Sequence, residues 1–140
     1  MKVLTVKQPW AWLIIHGGKD IENRTWRTPY RGPLVIQASS RPQPRMREFC
    51  DQVANRFGVT LPAEFQYGGA IGVVDVVDCV RSDSSRWFEG PVGWVLANPR
   101  PLPFIPIAGR LYLFDAPPDV ASAVIRTGIA DTDAYTANRR

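Results

Sequence analysis

The apolar positions of this chain fall into short segments punctuated by glycine and proline. Val3, Leu4 and Val6 alternate weakly over residues 1–6 and predict a short first strand. Pro9 stands where the first turn of a helix tolerates a missing N–H. Trp10, Leu13 and Ile14 follow at i, i+3 and i+4, with Trp12 and Ile15 widening the arc. Gly17-Gly18 ends that helix. Lys19 to Trp26 then reads as a strand carrying charge and aromatics together. In it Glu22, Arg24 and Trp26 alternate onto one face, a poor composition for a core and a good one for recognition.

Gly32-Pro33 punctuates before Leu34–Ala38, a buried strand by its continuous β-favouring run. Ser39 to Pro44 is a polar loop. Met46, Phe49, Cys50, Val53, Ala54 and Phe57 then repeat at helical spacing up to Gly58, the cleanest helical pattern in the chain. Gly69 to Val80 is apolar on both faces, which predicts a long strand between two layers, with Gly72 as a point where it can bend. Asp75 and Asp78 have opposite parity and cannot pair on one face of a regular strand. Val92 to Leu96 is another strand. Pro99, Pro101, Pro103 and Pro106 are expected to interrupt regular structure until Arg110–Phe114, a last strand with Leu111 and Leu113 facing one way. Pro117-Pro118 introduces a short closing helix over 119–125, and 127–140 lacks a packing pattern and is expected to be a loosely ordered tail. About six strands and three helices without a βαβ rhythm predict an α+β fold: one domain over 1–126, a small mixed β-barrel with helices packed around it.

Size and charge narrow the picture. The 140 residues suffice for one core. No apolar run reaches a membrane span, and no signal peptide is visible at the start. Cys50 and Cys79 show no CxxC spacing, and His16 is the sole imidazole. A zinc site is therefore not expected, nor any metal or cofactor, and reduced thiols in a cytoplasmic protein are. His16 also lacks a Ser or Cys partner at a recognisable spacing for a catalytic triad. Residues 1–56 carry ten Lys and Arg against four Asp and Glu, whereas the remainder carries seven against nine. This asymmetry predicts one positive face and an anionic partner, nucleic acid among the candidates, although Arg-rich composition can also arise without one.

The segment Gly17-Gly18-Lys19-Asp20-Ile21-Glu22-Asn23-Arg24 fits a G-x-K-x-x-E-x-R signature. It is flanked by QPWA at Gln8–Ala11 and W-x-TP-x-RG at Trp26–Gly32, and followed by GxVDVVDC at Gly72–Cys79 and by Asn98-Pro99. In these motifs and their order the chain resembles the activating signal cointegrator homology (ASCH) domain, including that of the transcriptional coactivator that gives the family its name. The resemblance spans about residues 3–115. It implies a PUA-like β-barrel, with the signature residues lining a pocket beside the first helix, and links the chain to RNA or other nucleic-acid binding. A few members of that family are small hydrolases that deacylate N4-acetylcytidine, or ribonucleases.

Several side chains then become candidates, each with a plainer alternative. Lys19 at its glycine turn is either a phosphate or carbonyl partner, or a surface lysine paired with Asp20 or Glu22. Glu22 and Arg24 either pair structurally or present an acceptor and a planar donor fork to a base or phosphate. Trp26 is a base-stacking platform or a barrel tryptophan. Arg27, Tyr30 and Arg31 interleave basic and aromatic character at the following turn. Trp10 belongs to the core or to the pocket wall, and Ser39 donates to a phosphate or caps its loop. The acetylcytidine hydrolases carry threonine as nucleophile at the position of Glu22, and a carboxylate does not replace a hydroxyl in that attack. The expected function is therefore binding of single-stranded RNA or a modified nucleotide by a monomer. The alternative is a hydrolase acting on acylated cytidine or RNA through Lys19 and Glu22.

Overall fold

The computed structural model describes residues 1–127, so the tail expected at 127–140 lies, apart from Thr127, outside the described residues. The strands are β1 (Lys2–Val6), β2 (Ile21–Arg24), β3 (Gly32–Ala38), β4 (Gly69–Val80), β5 (Val92–Pro106) and β6 (Leu113–Asp115). The helices are α1 (Trp10–His16), α2 (Met46–Phe57) and α3 (Pro118–Arg126). The strands form one six-stranded sheet in the order β2-β5-β4-β3-β1-β6, curled into an open half-barrel. β1 runs parallel to β3, and every other neighbouring pair is antiparallel. The α+β barrel architecture thus follows the apolar pattern of the sequence.

α1 packs into the curl of the sheet, burying Ala11, Leu13, Ile14 and Ile15. Gln8 explains its entry: the buried side chain accepts from Trp12 N at 2.8 Å and donates to Gln66 O at 3.0 Å. Ile15 presses on β4 at Gly72, where a Cβ would come within 2.4 Å of the isoleucine Cδ1. Gly72 is therefore required by close approach, and the β4–β5 register also shifts beside it. Leu4, Ile14, Leu34, Ile36, Val74 and Trp94 make up the main core between α1 and the sheet. Val3, Val35, Val73, Val120 and Val124 join α3 to the opposite face. Among the described residues no helix is long and apolar enough to cross a membrane.

Three elements differ from their sequence-based expectation. β5 does not stop at Leu96 but continues through four prolines to Pro106. β2 covers one edge of β5 at Val92–Val95, and Asp20 O accepts from Leu96 N at 2.9 Å, so beyond Leu96 every second N–H faces no strand. The register with β4 slips by one residue between Ala97 and Arg100, which turns Pro101 and Pro103 to that free edge, where a residue lacking an N–H is tolerated. β2 ends at Arg24, two residues short of Trp26. β6 starts at Leu113, which leaves Leu111 and Tyr112 in the preceding loop, largely exposed.

Candidate functional site

The turn after α1 delivers Lys19 inward. Lys19 N donates to Leu13 O at 3.1 Å, and Gly18 takes a left-handed φ of 76° that closes the helix end. The lysine is 5% exposed. Its Nζ donates to Ile21 O and, at 3.0 Å, to Glu22 Oε1, and lies 5.8 Å from the Trp10 ring centroid. Arg24, two residues along β2 on the same face, clasps the other carboxylate oxygen with Nε at 3.1 Å and Nη2 at 2.9 Å. The same Nη2 donates to Thr5 O at 3.0 Å. Lys19 and Glu22 are buried and Arg24 is half-buried, so two cations flank one carboxylate and the group keeps an excess of positive charge.

Two clefts open on this network. The first, about 180 Å3, has Lys19 and Glu22 in its wall together with Trp10, Phe57 and Trp87. Phe57 and Trp87 stack at 4.3 Å, and Phe57 meets Trp10 edge-on at 6.1 Å, so the aromatic wall is rigidly packed. Asn23 lines this cleft too, but its amide is committed. It donates to Trp87 O and accepts from Glu89 N and Gly90 N, holding the 87–90 loop over β2. Glu89 at the rim pairs with Arg56 at 2.7 Å. The second cleft, about 390 Å3, shares Trp10, Glu22 and Asn23 with the first and adds Arg24, Ser39, Lys7, Arg110 and Tyr112.

Lys19, Glu22, Arg24, Trp10 and Ser39 are thus brought together around adjoining clefts. Trp26 lies at the border. Its ring meets Trp94 edge-on at 4.8 Å and Tyr112 at 5.3 Å, and its carbonyl accepts from Trp94 Nε1. Arg27, Tyr30 and Arg31 line neither cleft. Arg27 donates to Cys79 O, Tyr30 hydroxyl to Pro33 O, and Arg31 to Thr28 O and Tyr30 O. Trp87, Arg110 and Tyr112 escaped the sequence reading, because each reaches the site from a loop distant in the chain. Among the described residues no three His, Cys, Asp or Glu side chains gather to hold a metal ion.

These are the side chains of the G-x-K-x-x-E-x-R signature, and a model of the ASCH domain matches residues 4–106. The chain belongs to the ASCH domain family. Over 110 residues this ASCH domain is 33% identical to Activating signal cointegrator 1 of Homo sapiens, covering 69% of this chain and 19% of that protein. Over 82 residues it is 37% identical to Activating signal cointegrator 1 of Mus musculus, covering 55% and 14% respectively. The chain therefore spans less than a fifth of these relatives.

A larger groove of about 800 Å3 runs along the outer side of α2, between Met46, Cys50 and Ala54 and the segment bearing Leu61, Phe65 and Tyr67. Burial, with Asp51 nearby, pushes the Cys50 thiol up from its ordinary value. Burial and the neighbouring Cys50 push the Tyr67 phenol up as well.

Proposed function

We propose that this ASCH domain binds single-stranded nucleic acid, RNA in the first instance, by taking an unpaired base into the cleft at Lys19 and Glu22. The observation that carries this reading is the buried Lys19–Glu22 pair, a donor and an acceptor 3.0 Å apart in an aromatic-walled cleft of about 180 Å3. An ammonium has three donors, of which Ile21 O and Glu22 use two. Glu22 Oε1 keeps further acceptor capacity, while Oε2 is held by Arg24. A ligand edge with an acceptor beside a donor satisfies this pair. The Watson–Crick edges of cytosine, adenine, guanine and uracil all carry that adjacency, and in a duplex those edges are occupied. The pair therefore favours an unpaired base, plain or modified at a position off that edge, without fixing a sequence. The positive excess of the network and of residues 1–56 supplies the attraction for phosphate.

Recognition is favoured over hydrolysis by the same geometry. Glu22 is engaged by Lys19 on one oxygen and by the Arg24 fork on the other, an arrangement that fixes charge in place. Fluorescence anisotropy with labelled RNA decamers at several salt concentrations tests the proposal. Binding is expected to weaken as salt rises, with a logarithmic slope of roughly 0.7 per phosphate contact. Absence of binding, or binding with no salt slope, overturns it. Release of acetate from N4-acetylcytidine, or cleavage of the decamer, above the level of a Lys19→Met control would establish the hydrolytic alternative instead.

A further inference from the structure

We propose that the second cleft takes the neighbouring nucleotide of the same strand, its base stacked on Tyr112 and the linking phosphate against Lys7 and Arg110. The inference rests on the nucleic-acid reading of the first cleft and adds a subsite to it. Tyr112 is an aromatic that its own fold leaves uncovered. It is 63% exposed, its hydroxyl makes no hydrogen bond among the described residues, and its φ of 60° lies in the left-handed region that side-chain-bearing residues rarely adopt. The ring is nonetheless held in place. Trp26 meets it at 5.3 Å with an interplanar angle of 70°.

Its loop is pinned to the sheet by Gln37 Nε2 donating to Ile107 O at 2.8 Å and by Arg110 N donating to Thr5 Oγ1 at 3.1 Å. Thr5 also accepts Arg24 through its carbonyl, so one residue ties the Tyr112 loop to the charged network. Rigidity without cover is what a stacking platform needs, because little ordering cost remains when a base lands on it.

Charge favours the same occupant. Lys7 and Arg110 make no ion pair among the described residues and both line this cleft, with the Arg110 guanidinium 5.8 Å from the Phe114 ring centroid. The carboxylate in its wall, Glu22, is already flanked by two cations. The clefts share Trp10, Glu22 and Asn23, so their occupants sit side by side, as adjacent nucleotides do.

The test compares a long ligand with a short one. Labelled homopolymeric RNA decamers of A, C and U are titrated by anisotropy, and the matching nucleoside 5′-monophosphates are used as competitors. Tyr112→Ala is expected to weaken the decamers about tenfold while leaving competition by the monophosphates unchanged. Tyr112→Phe should bind as the parent protein does. Lys7→Ala and Arg110→Ala should each lower the logarithmic salt slope for the decamers by about 0.7. Thermal melts of all four variants should match the parent.

The second subsite is overturned if Tyr112→Ala binds decamers normally, or weakens decamer and monophosphate by one common factor. A concentration-dependent dimer that Tyr112→Ala abolishes, with RNA affinity unaltered, also overturns it by giving the surface to a second copy. If the parent protein binds neither decamer nor monophosphate, the nucleic-acid reading of the first cleft falls, and the subsite with it.

Discussion

The groove along α2 and the cleft at Lys19 invite opposite conclusions from size and from chemistry. The groove encloses about 800 Å3 and the cleft about 180 Å3. In the groove, burial raises both Cys50 and Tyr67 away from their ionised forms, as an environment poor at solvating charge does. The cleft instead holds a lysine, a glutamate and part of an arginine out of bulk water, in mutual contact. Burying charge is unfavourable unless each partner is satisfied, so a fold that does so next to an open cavity has committed stability to that place. Volume finds concavities, whereas buried and partnered charge finds sites.

The contrast can be broken most forcefully at Glu22. Glu22→Ala leaves Lys19 buried and Arg24 half-buried without their anion, and should lower the unfolding free energy by about 3–5 kcal/mol in urea titrations. Leu61→Ala in the α2 groove removes only partly buried apolar surface and should cost about 1 kcal/mol. Equal losses would remove the distinction.

Ligand binding gives the next largest difference. Lys19→Met keeps the stem but deletes the donor, and should weaken decamer RNA at least about tenfold by anisotropy. Arg47→Ala, a cation in the α2 groove, should change it less than about twofold.

The smallest effect concerns thiol chemistry. With the Cys50 pKa raised above its ordinary 9.0, its thiolate forms later than that of a free thiol. Iodoacetamide labelling followed by mass spectrometry should therefore be slow at neutral pH and climb beyond pH 9.0, with buried Cys79 unmodified in the folded protein. Once labelled at Cys50, the protein should bind RNA as before.

Local pattern carried the sequence reading a long way. The 46–57 helix and the 69–80 strand end where their spacing and glycines say they should, because periodicity and helix capping are local. The signature places Glu22 and Arg24 together for the same reason, since residues two apart on a strand share a face, and the turn at Gly18 folds Lys19 back onto Glu22. What failed was whatever depends on a neighbour. Prolines look fatal to β5 until the free edge beyond Leu96 is known. Arg110–Phe114 alternates like a strand, yet pairing with β1 begins only at Leu113, which releases Tyr112 to the cleft. Trp87 enters the site across 65 residues of chain from Glu22, held by an asparagine that no spacing rule connects to it.

One contact carries a consequence beyond the site itself. β2 is an edge strand paired on one side with β5, and β1 lies four places away in the sheet order, yet Arg24 on β2 reaches Thr5 O on β1. The guanidinium is therefore a stitch across the gap of an unclosed barrel, made from the same atoms that hold the carboxylate in the cleft. A ligand that recruits this fork competes with the stitch, and one that leaves it alone leaves the rim as it stands. Amide exchange along β2 would report which of the two a given ligand does, with no need to see the ligand at all.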